Sequence, residues 1–225
     1  MEKSKVAIVI PALNEAKTIT PVIAGVREYG IVIVVNDGST DDTEEVSRNA
    51  GAEVVTHPQN KGYDIALYSG FSKAAELGRE FIISIDADGQ HNPKYMVQML
   101  QAIYSGESKL ALAYRDKSAR CAEYLFRIVA KRKYGINDIL CGLKAFHVDL
   151  FREYGQIMKQ QTMGTGLAIH STRAGNRPVQ IPIIIEDRLD TPRIGRIFKA
   201  NLLIFKGMLL ALNWRTSSKT ATDLP

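Results

Sequence analysis

Val6–Ile10 is an unbroken apolar, largely β-branched run closed by Pro11, and it reads as a strand buried on both faces. Residues 15–29 then carry Ile19, Val22, Ile23 and Val26 at helical spacing, behind Asn14 as a candidate N-cap. Ile31–Val35 repeats the strand pattern and stops at Asn36-Asp37-Gly38-Ser39. Thr40, Asp41 and Asp42 offer caps for a helix reaching about Ala50. Glu53–Thr56 predicts a short strand, and a polar loop, His57–Gly62, leads into a helix over 64–78. Phe81–Ile85 is the next apolar block. Strand and helix thus alternate through about the first ninety residues, and the strands are apolar on both faces. That pattern predicts an α/β fold with a mostly parallel central sheet and helices on both faces. Ligands of such sheets bind beyond the carboxyl ends of the strands.

Further on, the pattern predicts a helix over Pro93–Tyr104 and a strand over Lys109–Tyr114. Residues 120–133 read as a basic amphipathic helix with Leu125, Ile128 and Val129 inward. Leu143–His147 reads as a strand, 164–174 as a helix stopped by Gly175, and Val179–Ile185 as a strand that Pro182 consigns to an edge. Residues 194–214 form an apolar, amphipathic helical segment with Arg196, Lys199 and Lys206 spaced along it and Trp214 at its end. Such a helix suits a membrane interface or an oligomer contact, and it is too charged for an evident membrane span. The expected organisation is one domain over 1–193, this helix over 194–214, and a loose Ser/Thr-rich tail over 215–225.

Composition narrows the choice of partner. The chain has 225 residues, 45% hydrophobic, enough for one sizeable core. Its net charge is +5, and basic residues gather at Arg115, Arg120, Arg127 and 131–133, and again at Arg188, Arg193, Arg196 and Lys199. This favours an anionic partner such as a nucleotide, a phosphate or an acidic membrane surface, and no Lys/Arg-rich arm points to nucleic acid. Cys121 and Cys141 make no C-x-x-C and are too few for a thiolate zinc site, which agrees with a reducing, cytoplasmic setting. The first apolar run is too short for a signal-peptide core, and no uninterrupted apolar stretch of about eighteen residues predicts a spanning helix.

The first strand leads into PALNEA rather than G-x-G-x-x-G, and no G-x-x-x-x-G-K-[ST] occurs, which disfavours a dinucleotide fold and a P-loop. Any phosphate must be handled otherwise. Asp86-Ala87-Asp88 follows Phe81–Ile85 directly. In an extended segment residues two apart share a side, so the two carboxylates converge and repel unless a cation lies between them. Oxygen ligands favour Mg²⁺ or Mn²⁺, and Mg²⁺ draws much of its shell from water and substrate phosphates.

PALNE (11–15), VVNDGSTDDT (34–43), NKG (60–62) and DADGQHNP (86–93) occur in this order and together resemble the family 2 glycosyltransferases, which have the GT-A fold. DADGQHNP, YR (114–115), NDILCGLKAF (137–146), VQIPI (179–183) and DRLDTPRIG (187–195) narrow the resemblance to the dolichyl- and polyprenyl-phosphate mannose synthases. The resemblance implies inverting, metal-dependent transfer of a sugar from a nucleotide diphosphate sugar, GDP-mannose first and a UDP-sugar second, to a polyprenyl or dolichyl phosphate. It implies that Asp37 holds the nucleobase, with Pro11, Asn14 and Glu15 around the nucleotide and Lys61 and Gly62 along it. Asp86, Asp88 and Gln90 would hold the metal at the diphosphate, with Ala87 between the two carboxylates. Arg115 and Arg127 would receive the acceptor phosphate, and Arg188 would close over the diphosphate, so that Asp88, Arg115, Arg127 and Arg188 form the implied catalytic set. The implied location is the cytoplasmic face of a membrane, as a peripheral protein, with a homo-oligomer left open.

Two departures from the pattern bear on mechanism. Relatives that transfer to a sugar hydroxyl usually place a carboxylate base late in the domain, but residues 162–178 contain neither Asp nor Glu, and His170 is the only candidate there. A phosphate acceptor, already an anion, needs no base. The alternatives are transfer to a sugar hydroxyl in polysaccharide or glycolipid synthesis, with a base from elsewhere, and a non-catalytic nucleotide-sugar binding subunit. Asp64 also replaces a glycine usual in the N-x-G-x-G-x-A pattern, which sets a carboxylate near the expected diphosphate loop.

Overall fold

A computed structural model describes residues 2–116, 121–158 and 162–187, together with Phe205. The sheet is built from β1 (Val6–Ala12), β2 (Ile31–Asp37), β3 (Glu53–His57), β4 (Phe81–Ser84), β5 (Leu110–Arg115), β6 (Lys144–His147) and β7 (Val179–Ile183), in the order β3-β2-β1-β4-β6-β5-β7. Between them run α1 (Ile19–Val26), α2 (Thr43–Asn49), α3 (Tyr63–Glu76), α4 (Tyr95–Tyr104), α5 (Cys121–Tyr134), α6 (Val148–Met158) and α7 (Met163–Arg173). Strand pairing is parallel except at β6, which runs antiparallel to both β4 and β5. The start of β6 therefore lies at the same end of the sheet as the carboxyl ends of the other strands.

The continuous apolar runs are explained by two cores, one on each face. Val6, Ile8, Ile10, Val32 and Val34 point to one side and pack with α1 and α4. Ala7, Val9, Ile33 and Val35 point to the other and pack with α3, α5 and α7. Both faces are dry, so alternation of polar and apolar residues is absent from the strands.

Several sequence expectations shift by a few residues, each for a local reason. β1 carries on through Pro11, which pairs with Val35 of β2. Its pairing with β4 has already stopped at Val9, so the missing N–H of Pro11 breaks no ladder bond on that side. α1 begins at Ile19 rather than 15, because Glu15 closes a turn by accepting from the amides of Thr18 and Ile19 through its carbonyl. Asn14 is not its cap. α5 turns a partly different face inward: Glu123, Phe126 and Ala130 are buried and Val129 packs against the same core, whereas Leu125 is exposed. Phe126 fills the core, and Glu123 on the same face reaches Arg115. Helix α6 had no counterpart in the sequence reading. Pro182 does sit on an edge strand, since among the described residues β7 pairs only with β5. Apart from Phe205, the 194–214 helix lies outside the described residues, as do the 215–225 tail and Arg188.

Candidate active site

The strand order turns about β1: β2 and β3 lie on one side, β4, β6, β5 and β7 on the other. A sheet with such a reversal opens a crevice beyond the carboxyl ends of its central strands. The motifs that follow β1, β2 and β4 all lead out at that end.

The turn after β1 is shaped by Asn14, the sole non-glycine among the described residues with positive φ, at 52°. Asparagine tolerates this left-handed conformation better than most residues. The strain is held in place by the loop after β2: the Asn14 amide donates to Ser39 Oγ (2.8 Å), and Asn14 Oδ1 accepts from the Thr40 amide (2.7 Å). Next to it, the Glu15 amide donates to Thr43 Oγ1 (2.7 Å), and Glu15 Oε2 accepts from Thr18 Oγ1 (2.6 Å). Pro11, Asn14 and Glu15 are thus brought together as one rim of the crevice.

Asp37 ends β2 and is buried. Its carboxylate meets His57 Nδ1 at 2.6 Å and accepts from the amides of Lys61 (2.9 Å) and Gly62 (2.8 Å). The opposite nitrogen of His57 meets Ser69 Oγ at 2.9 Å. Asp37 therefore anchors the 58–62 loop across the end of β2 and β3, and Lys61 and Gly62 stand beside it by that tether. Packing requires glycine at position 38, where a Cβ would lie 2.4 Å from the Asn60 amide nitrogen.

The acidic motif differs from its expected geometry. β4 stops at Ser84, and Ala87 and Asp88 belong to a turn, so the carboxylates are not aimed by a continuing strand. Asp86 keeps 32% of its side chain exposed, whereas Asp88 is 7% exposed with its Oδ1 accepting from the Gln90 amide (3.1 Å). Asp86 Oδ1 accepts from the Tyr63 hydroxyl (3.0 Å), and its Oδ2 meets His91 Nε2 at 3.3 Å. Desolvation opposes the charge on Asp86, but His91, Tyr63 and Lys144 outweigh it and hold the carboxyl below its ordinary value. Ala87 is buried between the two acids. Gln90 Nε2 donates to the Glu186 carbonyl (3.4 Å), the Glu186 amide donates back to the Gln90 carbonyl (2.9 Å), and Asn92 Nδ2 donates to Glu186 Oε1 (2.7 Å). The chain leaving β7 is thereby zipped onto the acidic motif.

The floor under Asp86 is the loop before β6. A Cβ on Gly142 would lie 2.1 Å from Asp86 Oδ2, so only glycine leaves room for the carboxylate there. Ser84 Oγ donates to the Gly142 carbonyl (2.9 Å), and Lys144 Nζ donates to the Cys141 carbonyl. Burial lowers the pKa of the Lys144 ammonium, with Cys141, Asp138 and Asp86 pulling against it. Among the described residues no three His, Cys, Asp or Glu side chains are gathered into a ready metal cage. Asp86 above the bare Gly142, with Asp88 two residues on, nevertheless suits a cation that takes the rest of its shell from water and a diphosphate, as Mg²⁺ does.

Arg115 closes β5, where Asp138 takes it in a two-pronged pair: Nε donates to Oδ2 (2.7 Å) and Nη2 to Oδ1 (3.3 Å). Glu123 Oε2 lies 3.8 Å from Nη2. Burial opposes the charge on Arg115, and Asp138 more than compensates, so its pKa rises. Arg127 Nη1 donates to the carbonyl of Asp116, the residue after Arg115, at 2.8 Å. The two arginines are thus tied to the same strand end.

Asp64 turns to α7: its Oδ1 accepts from the Met163 amide (2.6 Å), the first N–H of that helix. Burial raises its carboxyl pKa, while the Met163 amide and Lys144 work in the opposite direction. His170 is buried in α7, its ring 5.9 Å from that of Tyr154. Tyr63, His91, Asp138, Gly142 and Lys144 were not singled out from the sequence as site residues. His91 lies inside DADGQHNP, and the other three C-terminal ones inside NDILCGLKAF, but their roles depend on which strand ends meet.

Residues 7–155 match the family described as Glycosyl transferase family 2. The UDP-N-acetylglucosamine–dolichyl-phosphate N-acetylglucosaminyltransferase of Methanococcus voltae is 30% identical over 139 residues, covering 53% of this chain and 55% of that protein. The undecaprenyl-phosphate mannosyltransferase of Micrococcus luteus is 24% identical over 206 residues, covering 82% and 84%. The chain spans about half the length of the first of these relatives. Glucosyl-3-phosphoglycerate synthase from Mycobacterium tuberculosis, in complex with Mn²⁺, UDP-glucose and phosphoglyceric acid, has a TM-score of 0.74 at 22% identity, covering 95% of this chain and 81% of that one. The architecture is that of the GT-A fold.

Proposed function

The chain belongs to glycosyl transferase family 2, and from that premise we propose that it transfers a sugar, with inversion, from a nucleotide diphosphate sugar to a polyprenyl phosphate. The observation that carries this reading is Asp86 and Asp88 at the switch point of the sheet, with Asp86 seated on the bare α-carbon of Gly142. The nucleotide would lie along the rim made by Pro11, Asn14, Glu15 and Asp37, with Lys61 and Gly62 beside it. Asp86, Asp88 and Gln90 would hold Mg²⁺ or Mn²⁺, which when bound would offset the charge growing on the departing diphosphate. Arg115 and Arg127 would orient the acceptor phosphate, and Arg188 would stabilise the leaving group. Arg115, fixed by Asp138, is pre-organised and loses little freedom when an anion arrives.

A phosphate acceptor is supported by the 162–178 segment, which contains no Asp or Glu. The names of the Methanococcus and Micrococcus relatives carry dolichyl and undecaprenyl phosphate, in line with this choice. UDP-sugars and GDP-mannose are the donors to try first. Residues 194–214 would attach the protein to the cytoplasmic face of the membrane. No helix among the described residues is long and apolar enough to cross one. Removal of 194–225 should abolish flotation with liposomes, and unchanged flotation would refute that attachment.

Asp64 favours a second reading. Its half-buried carboxylate reaches the head of α7 from α3, and there it could serve as the base for a sugar-hydroxyl acceptor. A panel of nucleotide sugars, with Mn²⁺ and either polyprenyl phosphate or a glycolipid, read by release of nucleotide diphosphate, separates the two. Release with lipid phosphate that survives Asp64→Asn supports the first. Release only with the glycolipid, lost in Asp64→Asn, replaces it with the second.

A further inference from the structure

Asp64, Asp86 and Asp138 come from α3, from the end of β4 and from the loop before β6, and each feels the charge of one ammonium. That ammonium belongs to Lys144, which is 5% exposed. As the first residue of the antiparallel strand, it lies at the carboxyl end of the sheet, paired with Ser84 on one side and Leu112 on the other. A Cβ on Gly164, in the first turn of α7, would lie 3.8 Å from its Nζ. Its hydrogen bond goes to a carbonyl, that of Cys141, rather than to a carboxylate. Cys141 precedes Gly142, against which Asp86 rests. Burying a lysine in this way is costly, and an apolar residue would fill the same space at less expense to stability. The charge itself must have a use.

We propose that Lys144 is the resident counter-charge of this acidic cluster, standing in for a divalent cation while the cleft is empty, so that a metal ion is retained only together with a diphosphate. A fixed positive charge behind the carboxylates weakens their hold on a free dication. The negative charges of a diphosphate restore it. This inference rests on the nucleotide-sugar reading above, and it makes Lys144 a positioning residue that touches neither donor nor acceptor.

The test is titration with Mn²⁺ alone, and again with saturating UDP or GDP, by calorimetry on the full chain. Lys144→Gln should bind Mn²⁺ alone about tenfold more tightly than the wild type, as expected for removal of one nearby charge. Lys144→Arg, which keeps the charge, should stay near the wild-type value. A lysine that merely supported the fold would not tighten metal binding when lost. Unchanged or weaker Mn²⁺ binding in Lys144→Gln overturns the proposal. If Lys144→Gln does not fold, Lys144→Met decides by the same criterion, and failure of both to fold assigns the residue to structure. A wild type that takes no Mn²⁺ even with either nucleotide refutes the nucleotide-sugar reading instead.

Discussion

Replacing Gly142 by alanine adds one methyl group to the floor of the acidic cleft. The new Cβ would lie 2.1 Å from Asp86 Oδ2 and 2.5 Å from its Cγ and Oδ1. Nothing flexible can give way cheaply. The Asp86 side chain is short and held by Tyr63 at 3.0 Å and His91 at 3.3 Å, and the turn beneath it is held by Ser84 and Lys144. Overpacking of this kind costs about 1–3 kcal/mol. Losing one of the hydrogen bonds of Asp86 adds roughly 1 kcal/mol, for a total of about 2–4 kcal/mol. At roughly 2–4 °C per kcal/mol for a chain of this size, Tm should fall by something near 10 °C. Displacing the carboxylate by even about 1 Å should lower transfer about 10²-fold. Denaturant melts of Gly142→Ala, Asp86→Ala and the double variant isolate the contact. Once the carboxylate is gone the methyl group has space, so the penalty of Gly142→Ala should largely vanish in the Asp86→Ala background. A penalty that persists there undiminished, or a Gly142→Ala protein with wild-type stability and turnover, would refute the reasoning.

Asp88→Ala should abolish transfer and weaken nucleotide-sugar binding in Mn²⁺; full turnover would remove Asp88 from the site. Asp64→Ala strips α7 of its cross-helix cap and should cost about 1 kcal/mol by urea denaturation, so an unshifted midpoint would count against the capping role. Arg115→Ala leaves Asp138 buried without its partner, so we expect a loss of about 3 kcal/mol together with a raised KM for lipid phosphate; a loss of stability with an unaltered KM would confine Arg115 to the fold. Burial works against the charge on Asp138, but Arg115 outweighs it and lowers its pKa from 3.8. A depressed folded-state pKa contributes stability that is present above the unfolded value and lost as pH falls through the folded one. The stability advantage of the wild type over Asp138→Asn should therefore be full near neutral pH and shrink below 3.8, and a gap independent of pH would disprove the assignment.

Much of this protein was legible from local pattern. Solid apolar strands alternating with helices determined a two-faced, mainly parallel sheet, because a strand dry on both faces cannot alternate. Pro182 determined an edge, because it lacks a donor. The ordered motifs PALNE, NDGSTDD, NKG and DADGQH picked out the ends of β1, β2, β3 and β4, which open at one end of the sheet. Tertiary structure decided what those residues do to one another. The reversed direction of β6 is invisible in the four residues Lys144–His147, since pairing direction is a long-range property. Yet it is that reversal which carries Gly142 and Lys144 beneath Asp86. The inward face of α5 carries Phe126 into the core and Glu123 toward Arg115 at the end of the preceding strand, a pairing that no helical period reveals. Asp64 looked like an intrusion beside the diphosphate loop, and folding turns it toward the first amide of α7. The sequence by itself determined that two carboxylates, Asp86 and Asp88, follow β4. Only the fold decided that Tyr63 of α3 and the buried Lys144 of β6 join the nearby His91 in stabilising the charge on Asp86, because both reach it through space from elements distant in the chain.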